Sequence, residues 1–244
     1  MVKLSTCIEE AASRLDQAGL VFGHGTDNAW DEAAWLVLHA IGLPVNEEAD
    51  LEKEIDSSQI DAINEFVEQR IKTRKPAAYL TGTAWFAGLP FHIEEGIIVP
   101  RSHIGSFLAD EGKPWVKPSS IKRVLDLCTG SGCIAIAAAL CFPDARVDAT
   151  DIDPAALALA RKNVAEYDLQ NRVRLIHSDI YQNIEASYDL ILTNPPYVPQ
   201  QDVNAFPPEF RHEPRHAFEG GADGLQLVHV ILRDAARHLN EGGI

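Results

Sequence analysis

Little in this chain would place it in a membrane, around a metal or along a nucleic-acid backbone. None of its 244 residues lies in an apolar run approaching the ~20 that a membrane span needs. Basic residues are in deficit, 21 Lys and Arg against 36 Asp and Glu, for a net charge of −15. That deficit argues against a protein that holds nucleic acid by neutralising many phosphates; it suits a basic protein substrate drawn in by an opposite field, or else serves solubility alone. The four cysteines, Cys7, Cys128, Cys133 and Cys141, include no C-x-x-C pair and read as small apolar filler in a reducing compartment. The histidines are scattered without metal-ligand spacing, so no metal site is expected. Internal repeats and low-complexity tracts are missing too. The opening "MVKLSTCIEEAASRLDQ" turns acidic and amphipathic at once, unlike a signal peptide, and a cytoplasmic location is expected.

What is present falls into three regions. Residues 1–76 read as a helical bundle, the region expected to select a substrate. Thr6-Cys7-Ile8-Glu9 has the form of a capping box, and Ile8, Ala11, Ala12 and Leu15 follow at helical spacing. A second helix from near Asn28 is expected to bury Trp30, Ala33, Ala34, Val37 and Ile41. A third, from near Ser57, presents Ile60, Ile63, Val67 and Ile71 before Pro76 ends it. In residues 77–120, the stretch Tyr79 to Arg101 mixes aromatic and β-branched residues with Gly and Pro, the pattern of a hairpin. A short helix and the surface connection "EGKPWVKPSS" follow it.

Residues 121–244 alternate strand and helix. "KRVLDLC", "RVDATD", "RVRLIHSD" and "YDLILTN" are the strands, and "SGCIAIAAALCF", "DPAALALARKNVAEYDL" and "DGLQLVHVILRDAARHLN" the helices. The fold class is therefore α/β, with a mostly parallel sheet covered on both faces. Ligands of such sheets bind beyond the carboxyl ends of the strands, at the point where strand order reverses.

Each strand end carries a residue with chemistry. Gly130 and Gly132, in the turn Cys128-Thr129-Gly130-Ser131-Gly132, let a backbone approach a ligand closely, or else simply make a tight turn. The turn lacks the G-x-G-x-x-G spacing of a dinucleotide site, and Asp126 before it would repel a pyrophosphate but suit a cation. Asp151 can accept from both hydroxyls of a ribose, while Asp153 is the better N-cap for the helix starting at Pro154. Asp179 is placed to accept from an adenine amino group, or stands solvated at its strand end. The fourth strand ends in "TNPPYVP", Thr193 to Pro199. Two prolines fix two φ angles and remove two donors, which makes a rigid exit where loops are usually loose. The Asn194 side-chain oxygen and the Pro195 carbonyl could accept both N–H groups of a planar nitrogen, and Tyr197 beyond Pro196 could stack on its plane. Such acceptance localises a lone pair that resonance otherwise spreads. An acid near a loop, one for a ribose and one for an adenine together describe S-adenosylmethionine.

These motifs resemble the protein-glutamine N5-methyltransferases, which share "NPPY" with amino-methylating DNA enzymes. "FGHGTDNAWDEA", "AYLTGTAWFAGLPFHI", "VPRSHIGSFL" and "EFRHEPRHAFEGGADGL" look like the branch acting on the third protein of the large ribosomal subunit. The sister branch, acting on release factors, usually has Pro-Arg-Pro-Asp/Glu-Thr-Glu where "PRSHIGSF" stands. The resemblance implies a Rossmann-like class I methyltransferase fold. It implies S-adenosylmethionine contacts at Asp126, Cys128 to Gly132, Asp151, Asp179 and Asn194, and a reacting amide held by Asn194 to Tyr197. The partner it implies is a basic ribosomal protein, with no membrane and no direct nucleic-acid binding. The loop after "NPPY" is expected to border the substrate channel. In such relatives "LNEGGI" leads into further strands, so this chain is expected to hold an incomplete sheet, with "DLILT" near an uncovered edge. A release-factor methyltransferase, an adenine methyltransferase of nucleic acid and a non-catalytic assembly factor remain as other readings. The acidic helical region weighs against the nucleic-acid one.

Overall fold

The structure, a computed structural model, describes residues 2–45 and 49–244. The chain divides into two units, Met1–Thr83 with Pro207–His212, and Ala84–Phe206 with Glu213–Ile244.

In the first unit β1 (Val2–Lys3) pairs antiparallel with β2 (Glu54–Ile55), and α1 (Leu4–Gln17) follows β1 directly. The Leu4 N–H donates to the Lys53 carbonyl at 2.9 Å, so tertiary pairing sets the start of α1, and the expected box at Thr6 lies inside the helix. In α2 (Ala29–Ala40) the buried set is Ala29, Glu32, Ala33 and Trp35 to Leu38. Trp30, expected in the core, is 43% exposed, because the buried stripe runs through Trp35, five residues on and on another side of the helix. The helix α3 (Ser57–Thr73) has a true capping box, in which Asp56 and Gln59 each bond the other's backbone N–H, at 2.9 and 3.1 Å. A short α4 (Ala77–Thr81) occupies the start of the stretch expected to be a hairpin.

The deepest charges of this unit are Arg70 of α3 and Glu32 of α2, whose side chains are both fully buried and meet at 2.6 Å. Arg70 also donates to the Val21 carbonyl at 3.3 Å, and Thr26 to the second Glu32 oxygen at 3.3 Å. Removing one member of such a pair strands its partner without solvent.

The second unit opens with a hairpin of β3 (Thr83–Phe86) and β4 (Leu89–His92), then α5 (Ile104–Ala109). Next come β5 (Arg123–Leu127), α6 (Cys133–Cys141), β6 (Arg146–Asp151), α7 (Pro154–Glu166), β7 (Val173–His177) and β8 (Leu190–Thr193). The four strands form one parallel sheet in the order β7-β6-β5-β8. Strand order reverses between β5 and β8, which makes that crevice the switch point. Residues Cys133 to Ala139 of α6 are all buried, as a helix apolar all round must be, and they pack with Val124, Val147 and Leu190 of the sheet. After β8 come α8 (Gln200–Asn204) and α9 (Gln226–Ala235). At the outer edge of β8 the Ile191 N–H donates to the Ile244 carbonyl at 2.8 Å, and the Ile244 N–H to the Asp189 carbonyl at 3.1 Å. Part of the edge expected to stand open is therefore paired.

Register decides what leaves the sheet together. Leu127 stands opposite both Thr150 and Thr193, and Thr150 opposite Ile176. The residues that follow in three strands, Cys128, Asp151 and Asn194, thus emerge at one level.

Glu32→Ala is expected to cost about 3–5 kcal/mol, since it leaves the buried Arg70 uncompensated. Urea unfolding of the variant measures it, and a loss below about 1 kcal/mol would mean that Arg70 finds water in the folded state.

Candidate active site

A cavity of about 460 Å³ opens above the strand ends of the second unit. Cys128, Gly130, Asp151, Asp179, Asn194 and Pro196 line it. These come from all four strand ends, so the topology gathers residues scattered over some seventy positions of chain. Asp126, Thr129, Ser131, Gly132, Pro195 and Tyr197 are not in its lining.

Asp151 sits at the centre. Its two oxygens accept from the Gly130 N–H at 2.8 Å and the Asp153 N–H at 2.9 Å. Burial pushes its carboxyl above the usual range, and these two donors pull it back. Asp153 caps α7 by accepting from the Ala155 N–H at 2.8 Å, so although both acids line the cavity one Asp153 oxygen is committed to the helix start. His216 reaches within 3.6 Å of Asp153 and also lines the cavity.

The turn after β5 is strained in a way that only some residues accept. Cys128 has a φ of +59°, and Gly130 and Gly132 have φ of +57° and +83°. A Cβ on Gly132 would stand 3.1 Å from that of Ala160 in α7, so this glycine serves helix packing while Gly130 borders the cavity. Asp126 lies beneath the turn, fully buried, and accepts from the Thr129 hydroxyl at 2.5 Å. Burial lifts its pKa to about 7. It holds the turn from below and takes no place in the lining. Burial likewise pushes the Cys128 thiol up to about 12, so it is an inert thiol and no nucleophile.

At β8 the Thr193 hydroxyl donates to the Leu127 carbonyl at 3.0 Å and ties the two tips across the switch point. The Asn194 amide nitrogen donates to the Arg101 carbonyl at 3.3 Å. A carbonyl can only accept, so the group facing it must be the NH₂, and the Asn194 oxygen remains to accept from a ligand.

The family model described as the methyltransferase small domain matches residues 115–210, and the PrmC N-terminal domain model matches residues 6–82. A Bordetella pertussis protein named ribosomal protein uL3 glutamine methyltransferase is 46% identical over 244 residues, 99% of this chain and 82% of its own length. One of the same name from Burkholderia pseudomallei is 45% identical, over 97% of this chain and 80% of its own length. Among solved structures a methyltransferase from Pyrococcus furiosus aligns with 64% of this chain and 66% of its own, at 22% identity and a TM-score of 0.46. The chain belongs to the ribosomal protein uL3 glutamine methyltransferases. It is an α/β methyltransferase, and its cofactor is S-adenosylmethionine.

The residues present fit that cofactor. Four acids, Asp151, Asp153, Asp179 and Glu219, line the cavity and suit a cationic nucleoside; Ile98, Ile152, Ile180 and Leu227 give apolar walls, and the buried Thr150 hydroxyl has no protein partner. Several of these residues carry no sequence signal of their own. Ile97 and Ile98 arrive from the segment after β4, and Pro214, His216, Ala217, Glu219, Gly220 and Gly221 from the segment after α8. For the latter the run "EGGADG" is a signal, because a cluster of glycines marks close backbone approach. Leu227 and Val230 read as ordinary core positions of a helix. Among the described residues no cluster of His, Cys, Asp and Glu could hold a metal, and no helix is long and apolar enough to cross a membrane.

Because burial lifts Asp126 to about 7, the folded chain keeps a proton there that the unfolded chain has already released. The stability this group contributes is full below the ordinary carboxylate pKa and is lost as pH rises through about 7. Asp126→Asn, which can still accept from Thr129, is expected to flatten the decline in urea midpoint between about pH 5 and about pH 8. Equal slopes in parent and variant would place the folded Asp126 at its ordinary pKa.

Proposed function

We propose that this chain methylates the side-chain nitrogen of a glutamine in ribosomal protein uL3, with Asn194 and Pro195 holding the amide. The observation that carries this reading is the orientation of Asn194, whose nitrogen is tied to the Arg101 carbonyl so that its oxygen is left to accept. A carboxamide nitrogen is a poor nucleophile because its lone pair is delocalised into the carbonyl. Accepting one N–H at the Asn194 oxygen and the other at the Pro195 carbonyl draws electron density back onto nitrogen and fixes the plane of the group. Tyr197, 56% exposed, offers a ring face for the flat amide. Asp151 and Asp179 would hold the nucleoside of S-adenosylmethionine, which when bound supplies an electrophilic methyl. No general base is needed before attack, because the nitrogen sheds a proton only once it carries the new bond. The helical first unit would select the protein, and the net charge of −15 favours encounter with a basic one.

The test is transfer of labelled methyl from S-adenosylmethionine to purified uL3. Asn194→Ala is expected to lower turnover about 100-fold or more while keeping cofactor affinity. Asp151→Ala is expected to weaken cofactor binding about 10- to 100-fold, the loss of a charge-assisted contact. Label in release factors alone would assign the sister substrate, and label in DNA or RNA alone would assign the nucleic-acid one.

A further inference from the structure

Two stretches far apart in sequence, "VPRSH" and "EPRHAF", turn out to be partners in the second unit. The side chain of Glu213 is fully buried. Its Oε1 accepts from the Val99 N–H at 2.7 Å and its Oε2 from the Arg101 guanidinium at 2.5 Å. The Arg101 carbonyl is the group that accepts from the Asn194 amide. On its other side the Arg101 guanidinium lies 5.5 Å over the Phe218 ring, and the Phe218 carbonyl accepts from the Val198 N–H at 2.8 Å. The chain of contacts therefore closes on "NPPYV" from both ends.

We propose that Glu213 is a positioning residue for methyl transfer: it fixes the Val99–Arg101 backbone, and through the Arg101 carbonyl it sets which way the Asn194 amide faces. The inference rests on the role given to Asn194 above. Neither Glu213 nor Arg101 lines the cavity, so neither needs to touch cofactor or substrate. The chemistry of the site calls for a glutamate. A glutamine would have to turn its NH₂ towards either the Val99 N–H or the guanidinium, a donor against a donor. An aspartate lacks the reach to accept from both. With the clamp loosened the Arg101 carbonyl can swing away, and the Asn194 amide loses the contact that keeps its oxygen towards the ligand side.

The experiment compares Glu213→Gln, Asn194→Ala and the double variant in the full chain. Glu213→Gln is expected to lower kcat towards uL3 about 10- to 100-fold, with the Kd for S-adenosylmethionine and the KM for uL3 within about threefold of the parent. In the Asn194→Ala background the same change is expected to cost less than about threefold, because the group it positions is gone. A readout without turnover is the Asn194 side-chain NH₂ resonance, assigned by its loss in Asn194→Ala. It is expected to shift in Glu213→Gln while the remaining spectrum keeps its dispersion. An unmoved resonance would overturn the proposal, as would equal kcat losses in both backgrounds. So would a variant that loses stability and cofactor binding yet turns over normally per bound cofactor, since that describes a structural residue. If Glu213→Gln does not fold, Arg101→Gln takes its place in the same readings. Failure of both to bind cofactor would count as the structural outcome. A parent chain that leaves uL3 unmethylated would instead refute the proposed function, and the resonance would still decide whether Glu213 orients Asn194.

Discussion

One carboxylate holds the working edge of the sheet together. A parallel sheet delivers its strand tips to one edge but does nothing to hold the loops that leave them. Asp151 does so by accepting one backbone N–H from the turn after β5 and one from the start of α7. Each carboxylate oxygen has a second acceptor site, so the group can brace two loops and still present lone pairs to the cavity. The same bracing explains the positive φ values of Cys128 and Gly130, because the turn must curl back to aim its N–H at the acid. Asp126 below and Thr193 beside complete the frame, one holding Thr129 and the other the Leu127 carbonyl.

A second constraint is steric. The backbone of Tyr197 is gripped so closely that a Cβ on Gly224 would stand 2.3 Å from the Tyr197 carbonyl oxygen, and one on Gly220 would stand 2.8 Å from the Tyr197 Cα. Prolines stiffen this strand exit from within, and the two glycines let the returning loop pack against it from outside. The loop cannot carry side chains there, and it supplies Ala217, Gly220 and Gly221 to the cavity wall. Rigidity at the proposed amide site is thus a property of two segments, neither of which suffices alone.

The second unit was legible in the sequence because strand and helix periods alternate cleanly there. The strands ending in Leu127, Asp151, His177 and Thr193 stand where the apolar runs place them. The helical unit was less legible at its details. A helix whose first residue is set by pairing with Lys53 ignores its own capping pattern, and Trp30 and Trp35 cannot be told apart until the neighbours of α2 are known. In the site, residues at strand ends could be named because topology sends them to the cavity. Ile98 and Val230 could not, since each arrives from a segment whose return path depends on packing, and His216 was reached only as part of the loop after "NPPY" expected at the substrate channel. Glu213 was quoted as part of a motif without a role, and its partner 112 positions away in the chain is what gives it one.

Three buried glutamates follow one pattern across the two units. Glu32, Glu209 and Glu213 have fully buried side chains, and each meets an arginine, at Arg70, Arg74 and Arg101. A buried pair adds little net stability over a well-packed apolar replacement, because desolvation offsets most of the attraction, yet it fixes geometry through directional bonds. Two of the three acids lie within five residues of each other in the segment that follows "NPPY". Glu209 accepts from Arg74 at 2.9 Å and from the Val21 N–H at 3.0 Å inside the first unit. Glu213 accepts from Val99 and Arg101 inside the second. If strength were the requirement, leucine or phenylalanine would serve this segment better. Glutamates that each accept from a guanidinium and a backbone N–H instead set where the segment runs. That is the property this loop needs if, as proposed, the facing of the Asn194 amide depends on it.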